Sequence, residues 1–264
     1  MLQYRMGYMG SAYTATKENL TQALQNISPE VTDETSGAEK SSEGELVIAD
    51  SSEPEQTAEM TQKMEEVFTL NDDCGGWIKI DGTVIDYPVM QTPRDEQFYL
   101  NRDFDGKYSA YGCIIADTDS VIGTGTAVED YTDGSRPGTN IILHGHNMKN
   151  GTMFGDLDRY RDQSYEKSHS IIKFSSLYED REYQVCAVFL SQVYKKGQTD
   201  VFKYYQFFNA ENEEEFNDFY NNIKALSMYE TGVDASFGDE FITLSVCAYH
   251  VENGRLVVVG KRIK

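Results

Sequence analysis

The sequence predicts a mainly β domain, a barrel or a sandwich, carried behind an acidic tail. Three observations point there. Eight short runs with strand character succeed one another from Gly76 to Ile263, punctuated by turn dipeptides. Hydrophobic residues make up 39% of the 264 and aromatic residues 12%, so the chain has the side chains for a core. Composition also changes abruptly near residue 56, which separates a tail from an ordered domain at 56–264.

Residues 1–55 read as a linker. From Ser28 to Glu55 the chain is rich in Ser, Glu, Asp, Thr and Gly and carries no aromatic residue. Such a stretch buries too little apolar surface to offset the entropy lost on ordering. Over 56–71, Ala58, Met64, Val67 and Phe68 leave an apolar stripe at roughly helical spacing, which predicts a short amphipathic helix packed on the β domain. A barrel or sandwich is then expected over 76–264.

GWIKIDGTVIDYPVM supplies the first two strands around the turn dipeptide Asp81-Gly82, with Pro88 predicting an edge or a bulge in the second. Further strands are expected at Gly112–Asp117, Asn140–His144, Ser170–Phe174, Glu182–Gln192, Glu240–Cys247 and Arg255–Ile263. Asn253-Gly254 marks a turn between the last two. Two helices interrupt the strands, a short one at Phe154–Arg161 and a longer one at Asn212–Met228. The longer one places Phe216, Phe219, Tyr220, Ile223 and Leu226 on one face, and Glu213, Glu214 and Glu215 in the first turn, where the helix dipole favours anions. It lies in a long connection, Tyr194 to Asp239. A connection of that length either carries function or covers a sheet edge.

Charge narrows the partners. A net charge of −21 argues against nucleic acid and against an anionic lipid surface, both of which need a Lys/Arg face. No apolar run is long enough to span a bilayer, so any membrane attachment is through an anchor not visible in this sequence. The four cysteines, Cys74, Cys113, Cys186 and Cys247, form no CxxC pair, which disfavours a structural zinc site.

Three stretches offer chemistry. Cys247 ends the strand FITLSVC, where a thiol can reach a rim; most strand cysteines are small buried hydrophobes instead. NIILHGHNMKNGTMF runs an apolar strand into His144 and His146, and imidazole is the side chain best suited to proton transfer near neutral pH. The same His-x-His spacing puts both rings on one face of a strand, which also suits a metal, with His169, His250 or a carboxylate as a third ligand. Arg255 opens the final strand and can lie near Cys247 if the two strands pair; there its guanidinium would hold a developing oxyanion. Alone it reads as a surface arginine. Together, thiol, imidazole and guanidinium make a set for acyl transfer, with no acidic third member evident.

At this point the sequence resembles the sortases, specifically class B. GWIKIDGTVIDYPVMQ, FYLNRDFDGKYSAYGCIIAD, IILHGHNMKNGTMFGDL, and TLSVC with RLVVVGKR after it carry the resemblance, in the family's order, from about Gly76 to Ile263. The resemblance implies a closed eight-stranded β-barrel with an N-terminal helix and a helix-bearing connection between strands six and seven that walls the substrate groove. It implies His146, Cys247 and Arg255 as catalytic, with Ser245 and Leu100 lining the groove; His144 matches no catalytic position. The implied activity is a cysteine transpeptidase that cuts an LPXTG- or NPXTN-like sorting signal after its Thr. It then passes the acyl group to an amine of a cell-wall precursor or a pilin, at the cell surface, with no cofactor and no metal. A peptidase that only hydrolyses, a silent surface-binding domain and a metal hydrolase built on His144 and His146 are the rival readings. Two departures stand out. Val246 replaces the Thr of TLSTC, removing a hydroxyl expected near the nucleophile, and the family's membrane anchor is not seen.

Overall fold

A computed structural model describes residues 60–92, 95–123 and 136–264. The tail expected at 1–55 and the first residues of the expected helix lie outside these. Helix α1 (Gln62–Leu70) is capped by Thr61, whose hydroxyl accepts the Met64 amide, and buries Met64 and Val67. They pack with Trp77, Met90, Cys74 and Cys113 in a small cluster on the outside of the sheet.

The strands are β1 (Cys74–Lys79), β2 (Asp86–Met90), β3 (Ile114–Ala116), β4 (Asn140–Gly145), β5 (Ile171–Ser176), β6 (Asp180–Gln192), β7 (Phe241–Cys247) and β8 (Gly254–Arg262). They close into a barrel in the order β1-β2-β3-β4-β7-β8-β6-β5. Closure leaves no edge, so Pro88 is not on one. It sits opposite Trp77 of β1, one residue before β2 begins its parallel pairing with β3 at Val89. The bulge in that hairpin falls on β1 instead, between Cys74 and Gly76.

Period-two alternation decides what faces where. Ile141 and Leu143 of β4, Ile242, Leu244 and Val246 of β7, and Leu256 and Val258 of β8 fill the barrel interior. Their neighbours point outward. On β6 a register shift between Val185 and Ala187 turns both Cys186 and Ala187 out while Val185 and Val188 stay inside.

The outward face of β6, β7 and β8 is covered by the connection from β6 to β7. Its helix α3 (Glu213–Leu226) is capped by Asn212, whose side-chain oxygen accepts the Glu215 amide 3.0 Å away. Phe216, Phe219 and Ile223 are buried against Phe189, Phe241, Val257 and Val259. Leu226, expected on the same stripe, is the helix's last residue and is 45% exposed. The connection is pinned on either side of α3. Buried Asn140 donates its backbone N–H to the Phe208 carbonyl and its side-chain amide to the Phe207 carbonyl, both at 2.9 Å. Met228 returns its N–H to the Val188 carbonyl at 2.7 Å.

The expected helix at Phe154–Arg161 is a 3₁₀ segment, Gly155–Arg161, and a further helix α2 (Gln163–Ser168) comes directly after it, capped by Asp162. No helix among the described residues is long and apolar enough to cross a membrane.

Candidate active site

A groove of about 500 Å³ opens on the outer face of the barrel, at the ends of β4, β7 and β8. Cys247, His146 and Arg255 all line it, with Ser245 and Leu100. Cys247 closes β7 and Arg255 opens β8, and the antiparallel register sets them directly opposite each other. The turn between the strands therefore sets the two residues side by side at the groove, as the sequence predicts if the strands pair. One Arg255 nitrogen donates to the Gly254 and Asn253 carbonyls at 3.0 and 3.3 Å, which fixes the guanidinium against its own turn.

The four thiols are free, but their surroundings differ. Burial pushes Cys74 and Cys186 up to about 12, and Cys113 higher still. A thiol so placed stays protonated and inert. Cys247 alone is partly exposed.

His146 comes one residue after β4. β4 runs parallel to β7, with Gly145 level with Val246, so the two chain ends arrive side by side. The family-like stretch after His146 is a tight loop that returns to it. Gly151 has φ +81° and Met153 has φ 56°, both left-handed, and the Phe154 amide donates to the His146 carbonyl at 3.0 Å. Gly145 has no room for a Cβ, which would sit 2.6 Å from Ile114 and 2.7 Å from Phe154. Two bonds then hold the imidazole region. The ring's Nε2 lies 2.7 Å from the Leu100 carbonyl oxygen. The Asn147 side-chain amide donates to the Cys247 carbonyl at 2.8 Å, tying the loop that carries the imidazole to the strand that carries the thiol.

Asn147 is a groove contact that its motif alone does not reveal, although it stands next to His146. Tyr204 is another. Its hydroxyl meets the Ser245 hydroxyl at 2.8 Å under the groove, and burial holds the phenol up at about 12, so it remains an uncharged O–H. The density of aromatics in FKYYQFF is the only local signal for it. Ser245 is 2% exposed and so forms groove floor rather than wall. Leu100 lines the groove, and its carbonyl also serves His146.

Val246 points into the barrel and is 1% exposed. The Thr-to-Val departure therefore removes no hydroxyl from the face that carries Cys247.

His144 and His146 line the same groove but their rings go to different partners. His144 pairs with Asp117 at 3.1 Å. Among the described residues, Glu96, Asp117 and His144 have ligand atoms within 4.8 Å of one another, and His146 is not among them. Burial, then the Asp117 charge, raises the Glu96 carboxyl, and His144 opposes this. His169 is stacked on Tyr165 with its Nδ1 2.9 Å from the Tyr165 carbonyl, and so does not join them.

A sortase-domain family model matches residues 78–263. Sortase B of Listeria monocytogenes is 30% identical over 207 residues, covering 78% of this chain and 76% of that protein. Sortase B of Staphylococcus aureus is 31% identical over 204 residues, covering 76% and 75%. Among solved structures, a Staphylococcus aureus sortase B–substrate complex superposes with a TM-score of 0.65 at 29% identity, covering 78% of this chain and 86% of that one. Sortase B from Bacillus anthracis in complex with AAEK2 gives 0.64 at 28%, covering 79% and 86%. The chain belongs to the sortase family, in its class B, and is a cysteine transpeptidase.

Proposed function

We propose that this sortase cleaves an LPXTG- or NPXTN-like sorting signal after its Thr and transfers the acyl group to an amine of the cell wall or of a pilin, outside the cytoplasm. Cys247 is the nucleophile. Its sulfur attacks the Thr carbonyl carbon, and the oxyanion that forms is held by the Arg255 guanidinium. As the C–N bond breaks, His146 gives a proton to the leaving amine, and a thioester remains on Cys247. The acceptor amine then attacks the thioester, passes a proton to His146 and releases the thiolate.

The observation that carries this reading is the register of β7 against β8, which sets Cys247 opposite Arg255 at the mouth of a groove that His146 also lines. The relative solved with a substrate supports a peptide lying in that groove. The test is mass spectrometry of a panel of sorting-signal peptides, with and without an amine acceptor. Cleavage after Thr with a ligated product in the presence of amine is expected. Release of free acid alone at saturating amine would mark a peptidase; turnover that vanishes on alkylation of Cys247 is expected of the enzyme, and peptide binding with no turnover before alkylation and unchanged after it would mark a silent module.

A further inference from the structure

We propose that the backbone carbonyl of Leu100 is the positioning partner of His146 and fixes Nδ1 as the nitrogen that moves protons. This rests on the reading of His146 as the proton carrier.

The contact is short, Nε2 to carbonyl oxygen at 2.7 Å. A carbonyl oxygen can only accept, so Nε2 carries hydrogen whether the ring is neutral or charged. In the neutral ring the free lone pair is then on Nδ1. In the imidazolium the proton available for transfer is the one on Nδ1. That proton goes to the amine nitrogen as the scissile bond breaks, and the attacking amine later returns one to the same atom. The hydrogen on Nε2 stays with Leu100 throughout.

The carbonyl fills the place of the acidic third member that the sequence does not offer. It orients the ring through a dipole rather than a full charge. The carboxylates that share the groove are Glu96 and Asp117, and Asp117 is already paired with His144.

The carbonyl is held in place by its surroundings. Leu100 lies in the 3₁₀ turn Phe98–Asn101, and its N–H donates to the Gln97 carbonyl at 3.1 Å. Next to it Tyr99 is buried, donating its hydroxyl to Asp73 at 2.9 Å, while its carbonyl accepts the Cys113 amide at 2.9 Å. Gly112 backs both carbonyls. It has φ +58°, and a Cβ there would come within 2.4 Å of the Leu100 oxygen and 2.8 Å of the Tyr99 oxygen. A side chain at position 112 must therefore displace the acceptor of His146. Gly106, on the same stretch with φ +75°, has nothing within 4 Å of its would-be Cβ. It suffers the same backbone penalty without the displacement.

Nitrogen-15 NMR of histidine-labelled protein reads the tautomer directly, on the wild-type chain, with the ring titrated to its neutral form. The His146 signal is expected to be the Nε2–H tautomer; a predominant Nδ1–H tautomer would overturn the proposal. Gly112→Ala is expected to lower kcat for thioester formation by roughly 10- to 10²-fold with KM within about twofold, the usual cost of a misplaced catalytic group. Gly106→Ala should leave both unchanged. Equal losses in the two variants, or none in Gly112→Ala, would also overturn it. If Gly112→Ala does not fold, the wild-type tautomer still decides. His146→Ala separates the two assignments. Loss of thioester in that variant with an Nδ1–H tautomer in the wild type would retain His146 and remove Leu100, whereas full activity would remove His146 itself.

Discussion

The two faces of β7 are made from the same seven residues and do different work. Ile242, Leu244 and Val246 point into the barrel and are fully or almost fully buried, while Thr243, Ser245 and Cys247 point out toward the connection and the groove. One strand thus supplies hydrocarbon to the core and chemistry to the rim, and a step of one residue changes the kind of effect a substitution has. Inner-face changes should move stability and spare turnover, and a change at the outer-face rim residue Cys247 should do the reverse, whereas Phe241 at the strand's other end is buried under α3 and belongs to the packing.

The largest expected effect is at the strand's end. Cys247→Ala should abolish thioester formation, and His146→Ala nearly so, with little change in melting temperature. Leu244→Ala, three residues back on the inner face, should cost about 2–5 kcal/mol in denaturant unfolding, through lost burial and the cavity left behind. Loss of activity in proportion to loss of folded protein in all three would erase the distinction between faces.

Next comes Arg255, across the ladder from Cys247. Arg255→Ala should reduce kcat by roughly 10²–10³-fold, the cost of removing one oxyanion donor. Arg255→Lys should recover little of it, because the planar fork that also holds the Gly254 carbonyl is lost. Wild-type rates in either variant would take the guanidinium out of the reaction.

The smallest and sharpest test is Val246→Thr. It puts a hydroxyl next to Cys247 in sequence but inside the barrel in space. We expect a loss of about 1 kcal/mol or more from burying that hydroxyl, read as a lower melting temperature, and kcat within about twofold of the parent. A marked change in kcat would mean that residue 246 communicates with the groove after all.

The same contrast explains what could be read from the sequence. Strand runs were legible because alternation and turn dipeptides are local, and the stripe of α3 because Phe216, Phe219 and Ile223 repeat at helical spacing. Cys247, His146 and Arg255 were legible as residue types in motifs. The parallel pairings of β2 with β3 and of β4 with β7 were not, since they join strands through long crossovers that leave no local mark. Nor was the inward aim of Val246, which needs the register as well as the strand. The Asn147 bond to the Cys247 carbonyl spans 100 residues, and the Leu100 acceptor is a backbone atom that every residue type possesses. Helix α2 escaped because its QSYEKS carries almost no apolar periodicity and is defined by the Asp162 cap.

The most direct measurement is to incubate the protein with a sorting-signal peptide, quench, and locate the acyl adduct by peptide mapping. A single adduct is expected, on the fragment ending β7, carried by the sulfur of Cys247 and absent from Cys247→Ala. An adduct on any other residue, or cleavage of the peptide that persists in Cys247→Ala, would contradict the assignment of Cys247 as nucleophile.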